Sequence, residues 1–303
     1  MPKIVVTQNL GLNEEEKARL NKLGEVKYYD NLPKSVDEWF DRCKDADIIC
    51  SGHLGFASDK LYELKDKFFS VPLVGVGFLK LNKMKERNIV VSNSPACNME
   101  AVSEWIIAMI LNLFRNLLGY INNVNLPVGI TPKPNLGLAG KNITILGKGN
   151  IGSRVGKICE SLEMNVKYFK RGDDLLESIK NADVVIDVLS LNPSTRNLLD
   201  KKFFNSFKKG SFFVTITSPE IEDTEAMLKA LDGGIIAGVA MDGGAIQVGK
   251  ADDPFYIRLA THPKVLATPH IAYNTDVTDR KGNQMMIDNI EAYLKGSSIN
   301  LVQ

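Results

Sequence analysis

Short apolar runs alternate with helical patterns along the first ninety residues. Lys3–Thr7, Val26–Tyr29, Ala46–Cys50, Pro72–Val76 and Ile89–Ser92 read as strands. Between them Asn13–Leu23, Ser35–Cys43 and Ser58–Lys65 read as helices, the first with Asn13 as its N-cap. Strands that are apolar on both faces and separated by helices predict a parallel sheet covered on both sides. An amphipathic helix from about Asn98 to Leu118 then leads into a Pro-, Gly- and Asn-rich connection, Gly119 to Gly140. Beyond it six further strands are expected at Asn142–Leu146, Asn165–Phe169, Ala182–Ser190, Ser211–Thr217, Ile235–Asp242 and Lys264–Thr268. Asp279–Leu294 reads as a closing helix that packs back on the first unit.

Composition narrows the chemistry without naming it. The 303 residues leave room for two domains of about 150 residues each. Thirty-seven basic against 36 acidic side chains give a net charge of +1, so neither nucleic acid nor an anionic membrane is expected as a partner. The most apolar stretch, Trp105–Leu111, falls far short of the ~18 residues of a membrane span, and no basic-then-apolar leader opens the chain. A soluble, cytoplasmic protein is therefore expected. Cys43, Cys50, Cys97 and Cys159 are scattered, and His53, His262 and His270 lack ligand spacing, so no metal site is expected. Any chemistry then depends on an organic cofactor or on ordinary side chains.

The strand Asn142–Leu146 runs straight into Gly147-Lys148-Gly149-Asn150-Ile151-Gly152, and a helix follows. In this setting Gly147 permits a tight turn, Gly149 and the following N–H groups of Asn150 and Ile151 admit a pyrophosphate, and Gly152 lets helix and strand pack closely. The alternative is a glycine turn without a ligand. The next strand ends not in the acid that binds the ribose hydroxyls of NAD but in Lys170 and Arg171. Two cations there favour NADP(H) over NAD(H), the bland alternative being a solvated basic turn.

Several segments in order now carry a resemblance: Val74–Gly77 (VGVG), Asn93–Glu104, the glycine loop, Asn192–Thr195 (NPST), Asp223–Leu231, Val239–Asp242 and Thr268–Ala272 (TPHIA). Together they resemble the D-isomer-specific 2-hydroxyacid dehydrogenases, the group containing glycerate, phosphoglycerate and glyoxylate/hydroxypyruvate reductases. The resemblance implies an α/β fold of two Rossmann-like or flavodoxin-like domains with parallel sheets. A cofactor domain, residues 95–271, is inserted into a substrate domain made of residues 1–94 and 272–303. It further implies a homodimer, a small 2-keto or 2-hydroxy acid as substrate, and cofactor contacts from Val102, Ser190, Thr195, Thr217 and Asp242. Asp242 matches the family Asp at the nicotinamide carboxamide, with a loop-capping carboxylate as its alternative.

The catalytic positions are altered. His270 in TPHIA matches the family acid/base, with a capping or core histidine as the alternative reading. The Glu that orients it lies 23 residues earlier in the family, where this chain has Gln247. A Gln amide fixes a tautomer but does not stabilise imidazolium. Ser218 stands where the family places the Arg that grips the substrate carboxylate. Substitute contacts are expected from His53 in the loop after Cys50, from Arg280 on the closing helix, and from the Gly52, Gly75, Val76 and Gly77 backbone. The expected function is NADP(H)-dependent interconversion of a 2-keto acid and its D-2-hydroxy acid, and the alternative is a dinucleotide-binding sensor or partner subunit that has lost this reaction.

Overall fold

The computed structural model describes residues 1–122, 135–243 and 254–302. The chain divides into two compact units, residues 1–98 with 274–303, and residues 99–273. In chain order the first unit contains β1 (Lys3–Val6), α1 (Glu14–Leu23), β2 (Glu25–Tyr28), α2 (Val36–Cys43), β3 (Ile48–Cys50), β4 (Lys67–Ser70), α3 (Leu81–Glu86) and β5 (Ile89–Ser92). The second contains α4 (Met99–Arg115), α5 (Leu117–Ile121), β6 (Asn142–Leu146), α6 (Asn150–Ser161), β7 (Asn165–Phe169), α7 (Leu175–Ile179) and β8 (Val184–Asp187). It continues through α8 (Lys201–Asn205), β9 (Ser211–Thr215), α9 (Thr224–Asp232), β10 (Ile236–Asp242), α10 (Pro254–Thr261) and β11 (Val265–Thr268). The closing α11 (Asp276–Leu294) belongs to the first unit.

Unit 1 is a parallel five-stranded sheet in the order β2-β1-β3-β4-β5. Its strands are apolar on both faces because helices cover both, with Trp39, Phe56 and Phe69 filling one core and Phe68, Met286, Ile287 and Ile290 the other. α1 starts where Asn13 and Glu16 cap each other's backbone N–H, an arrangement worth about 1 kcal/mol. α11 packs on α1 and the sheet, and Arg19 bonds both Asp288 (2.8 Å) and Glu291 (2.7 Å).

One expected strand is corrected. Pro72–Val76 forms no strand, and the fourth strand is Lys67–Ser70, which pairs with β3 and β5. Pro72 has no N–H to give a ladder, whereas the KFFS segment places apolar rings on both faces. The helix expected at Ser58–Lys65 shrinks to a 3₁₀ turn, Asp59–Glu63, and the helix expected to reach Leu118 breaks at Asn116, whose φ is +47°. The first unit runs to Asn98, beyond the expected 94, and within it Ser94 donates to the carbonyls of Val71 (3.0 Å) and Gly282 (3.1 Å).

Unit 2 is a parallel six-stranded sheet in the order β11-β10-β9-β8-β6-β7. Phe203, Phe204, Phe207 and Phe213 pack edge to face on one side, and α4 and α6 cover the other through Ile106, Ile110, Val155 and Cys159. From β6 the chain steps to β7 on one side and then crosses to β8 on the other, so the connections reverse direction between β6 and β8. In such sheets a ligand binds outside the carboxyl ends of the strands at this reversal.

Candidate functional site

The carboxyl edge of the unit 2 sheet collects most of the residues expected from sequence. Register sets Leu146 beside Phe169 and Asp187, Asp187 beside Thr215, and Asp242 beside Thr268. The glycine loop, Lys170 and Arg171, Ser190, Thr217 and Ser218, Asp242 and His270 therefore leave neighbouring strands at one edge.

Each glycine of the loop has its own constraint. Gly147 adopts φ +104°, which favours glycine. A Cβ on Gly152 would stand 2.1 Å from the Gly147 carbonyl oxygen, so only glycine lets α6 start this close to the loop. A Cβ on Gly149 would meet nothing within 4 Å, and no side chain caps α6 there. The result is an open helix N-terminus whose N–H groups at Asn150 and Ile151 face outward with the positive end of the helix dipole. These features fit the pyrophosphate of a dinucleotide.

Cations flank this anion site. Lys170 and Arg171 are exposed in a turn closed by Asp173, whose carboxylate accepts from the Lys170 N–H at 2.8 Å. Lys148, inside the glycine loop, rests over the Tyr168 ring at 4.7 Å. Thr195 fixes the loop after β8 by donating to the Ser190 carbonyl (2.8 Å) and accepting from Asn192 N–H (2.9 Å). Val102 is 4% exposed and packs in the core beneath α4, so its side chain offers a ligand little surface.

Asp242 shapes the turn that carries His270. One of its oxygens accepts from the Thr268 hydroxyl (2.6 Å) and the Ile271 N–H (2.8 Å), and the other from the Ala272 N–H (2.7 Å). These bonds give Asp242, 4% exposed, a loop-capping role. His270 takes φ +55°, is exposed, and meets Tyr273 edge-on at 5.6 Å. A Cβ on Gly243 would come within 3.2 Å of His270 Nδ1, so the glycine leaves room for the imidazole. Gln247 lies outside the described residues.

In the turn after β9, Ser218 is half-buried, and its hydroxyl lies 3.5 Å from Glu220, which also pairs with Arg196 at 3.1 Å. Behind it lie two buried carboxyl groups. Burial pushes Asp187 up to about 7, and burial together with the nearby Asp187 pushes Glu222 up to about 8.

In unit 1 the expected substrate residues follow β3 and β4 at the carboxyl edge of their own sheet. Gly75 and Gly77 have open space beside them, Val76 is buried, and His53 is exposed with its ring 6.2 Å from Phe78. Gly52 sits against Gln8, since a Cβ there would come within 2.5 Å of the Gln8 amide. Gln8 follows β1, next to the reversal between β1 and β3, and its Oε1 is buried without a hydrogen bond among the described residues. Arg280 pairs with Asp276 one turn back on α11 at 3.2 Å.

The family pattern described as "D-isomer specific 2-hydroxyacid dehydrogenase, NAD binding domain" matches residues 107–272, more than half of the chain. The chain belongs to the D-isomer specific 2-hydroxyacid dehydrogenases. Membership makes it an NAD(P)-dependent oxidoreductase of the class that acts on CH–OH groups. It is 26% identical to a hydroxypyruvate reductase of Blautia hydrogenotrophica, covering 99% of each chain. It is 28% identical to a D-lactate dehydrogenase of Streptococcus agalactiae, covering 76% of this chain and 78% of that one. Its fold matches an acyclic imino acid reductase in complex with NADPH and D-Arg at a TM-score of 0.85, 20% identity and coverage of 99% and 100%.

Within this dehydrogenase frame, sequence reasoning missed Lys148, Gln8, Arg196 and the Asp187 and Glu222 pair. The signal for the last was present, because Asp187 is an acid ending the otherwise apolar run VVID. Lys148 and Gln8 carried no periodic signal, and only strand register reveals their places. Among the described residues no group of three or more His, Cys, Asp or Glu could hold a metal, and no helix is long and apolar enough to cross a membrane.

Proposed function

We propose that this dehydrogenase uses NADP(H) to interconvert a small 2-keto acid and its D-2-hydroxy acid, with His270 as the proton donor in reduction and acceptor in oxidation. The observation that carries the proposal is the open, uncapped N-terminus of α6 at the sheet's reversal, with Lys148, Lys170 and Arg171 beside it. When bound, the nicotinamide supplies or accepts the hydride. The N–H groups of Gly149, Asn150 and Ile151 hold the pyrophosphate, and the three cations hold the 2′-phosphate, Arg171 through its fork. His270 moves the proton at the substrate oxygen, and Ser218 takes the carboxylate. A cytoplasmic location and a homodimer belong to the same reading. Leu111, Leu117, Leu118 and Ile121, exposed along the end of α4 and on α5, are apolar surface that a second copy would cover.

One observation favours a second reading, a dinucleotide-binding protein that has lost this reaction. Ser218 offers a neutral hydroxyl, and the guanidinium of Arg196, in the loop after β8, is held by Glu220. Titrating NADPH and NADH by fluorescence tests the cofactor, and equal or NADH-favouring affinity overturns the role of Lys170 and Arg171. Screening glyoxylate, hydroxypyruvate, pyruvate and longer keto acids for NADPH oxidation tests the reaction. Turnover that survives His270→Ala unchanged overturns the mechanism, and the absence of any turnover selects the second reading.

A further inference from the structure

Where β8 and β9 end, two carboxyl groups lie in the core of unit 2. Asp187 is 0% exposed and Glu222 is 5% exposed. Asp187 Oδ1 accepts from the Leu189 N–H at 3.0 Å, and its Oδ2 lies 2.8 Å from the Thr217 hydroxyl. That hydroxyl is 3.1 Å from the Thr215 hydroxyl. Thr215 is in turn the polar side chain that Glu222 faces, although neither Glu222 oxygen completes a hydrogen bond. Asp187, Thr217, Thr215 and Glu222 form one row.

The hydrogens in this row can be counted. Each hydroxyl carries a single hydrogen. When Thr217 donates to Asp187, Thr215 must donate to Thr217, and only lone pairs remain for Glu222. An ionised Glu222 would then be a buried charge without a donor, a state that proteins avoid by protonation. When Asp187 instead donates to Thr217, the direction reverses and Thr215 can donate to Glu222. The two observed hydrogen bonds of the row use both hydroxyl hydrogens, and neither Glu222 oxygen has a donor among the described residues. A buried Glu222 without a donor therefore keeps a carboxyl proton.

Cations on the surrounding elements do not replace it. Among the described residues Arg196 pairs with Glu220, Lys148 lies over Tyr168, and Lys201, Lys202 and Lys229 are exposed. The acids nearby are also engaged elsewhere: Asp200 and Asp223 cap α8 and α9, and Glu225 pairs with Arg258 at 2.9 Å. The charged group that acts on Glu222 is Asp187, and its charge opposes ionisation.

We propose that Asp187 and Glu222 are positioning residues that keep one proton on this row and through it hold the Ile216–Ser218 turn in place. Asp187 ties the loop after β8, through Leu189, to the turn after β9, through Thr217. Glu222 anchors the far side of the same turn, where it bridges to Leu199 and where the Ser218 carbonyl accepts from the Ile221 N–H at 3.0 Å. Loss of the proton leaves two like charges in the core, and the turn is released. That this turn then fails to present Thr217 and Ser218 to cofactor and substrate rests on the proposed function; the proton requirement does not.

The test is amide hydrogen exchange of the segment 213–223 in ligand-free protein, corrected for the intrinsic rate. Glu222→Gln keeps that position neutral at every pH, and Asp187→Asn does the same at the other end of the row. From about pH 5 to about pH 8, where the closed row still holds protons that the opened segment has lost, wild-type protection should fall about tenfold per pH unit for each proton held and then level. In Glu222→Gln, with one titrating carboxyl fewer, the fall should be smaller, and Asp187→Asn gives the same comparison if that protein does not fold. Wild-type protection that ignores pH, or variant protection that falls in parallel with it, overturns the proposal. A parallel NADPH titration separates the two readings. If no dinucleotide binds at any pH while exchange behaves as expected, the proposed function fails and the positioning role stands.

Discussion

Gly149 and Gly152 share one motif but sit in different surroundings, and alanine should fail differently at each. A methyl on Gly149 meets nothing within 4 Å, and the backbone there, φ −78° and ψ −164°, suits any residue. Gly149→Ala should therefore fold, losing about 0.5–1 kcal/mol as a poorer N-cap. Its methyl, however, stands where a pyrophosphate approaches α6. Losing one charge-assisted hydrogen bond costs about 1.5–3 kcal/mol, which weakens NADPH binding about 10- to 150-fold. In Gly152→Ala the new Cβ would lie 2.1 Å from the Gly147 carbonyl oxygen and 3.1 Å from Val188 Cγ2. A backbone oxygen cannot swing aside, so strand and helix must separate by about 1 Å, an overpacking strain of about 1–3 kcal/mol. This variant should lose both stability and affinity. Urea denaturation without ligand, followed by NADPH fluorescence titration, measures the two effects separately. Wild-type affinity in Gly149→Ala, with its midpoint lowered as far as that of Gly152→Ala, would refute the reasoning.

Other consequences can be measured on the same protein. Ser218→Arg should raise turnover of 2-keto acids about 10²-fold or more, the usual worth of a charge-assisted substrate contact of about 3–5 kcal/mol; unchanged kcat/KM in the steady state would show that the Ser218 turn does not face the substrate. Asp242→Asn turns an amide N–H toward the Ala272 N–H and should cost about 2–3 kcal/mol in urea denaturation while disordering the His270 turn. Stability should also depend on pH with a definite sign. Asp187 and Glu222 are raised to about 7 and about 8, so between the ordinary carboxyl range and these values the folded chain binds more protons than the unfolded one. Their contribution is complete below the ordinary carboxyl range and is lost as pH rises from there to about 7 and about 8, at about 1.36 kcal/mol per pH unit for each group. Unfolding free energies that rise between about pH 5 and about pH 9, or that fall equally in Glu222→Gln, would contradict this.

The fold was legible because its strands are nearly pure apolar runs and its helices carry caps. Asn13 marks a helix start in the sequence and does so in the structure. The one misplaced strand shows the limit of that signal. Pro72–Val76 is as apolar as Lys67–Ser70, and what separates them is the ladder hydrogen bond that Pro72 cannot make. The glycine loop was legible because local sterics dictate its residues: the Gly147 carbonyl excludes any side chain at 152. Partnerships that depend on register were not legible. That Lys148 would lie over Tyr168, or that Asp187 would reach Thr217 thirty positions away, follows from β6, β7, β8 and β9 standing side by side. Asp242 carries both lessons, since its place in the VAMD motif was visible but the three donors that surround it were not.

Charge is unevenly distributed along the carboxyl edge of the unit 2 sheet, and this asymmetry is the strongest link between its packing and the proposed function. Lys148, Lys170 and Arg171 gather at the ends of β6 and β7, whereas Asp187 and Glu222 lie where β8 and β9 end. Under the proposed function the anionic phosphates of the cofactor meet the first group, and the nicotinamide half extends toward the second. An oxidised nicotinamide ring is cationic and a reduced one is neutral. A row that carries one proton presents less negative charge than a bare pair of carboxylates, so it favours the reduced ring relative to that pair. Alkaline pH reverses the bias by removing the proton, and neutral pH should thus favour the reductive direction. The ratio of NADPH to NADP⁺ affinity, measured from about pH 6 to about pH 9 in wild type and in Glu222→Gln, reads this directly. The wild-type ratio should fall as pH rises, and the variant ratio should fall less.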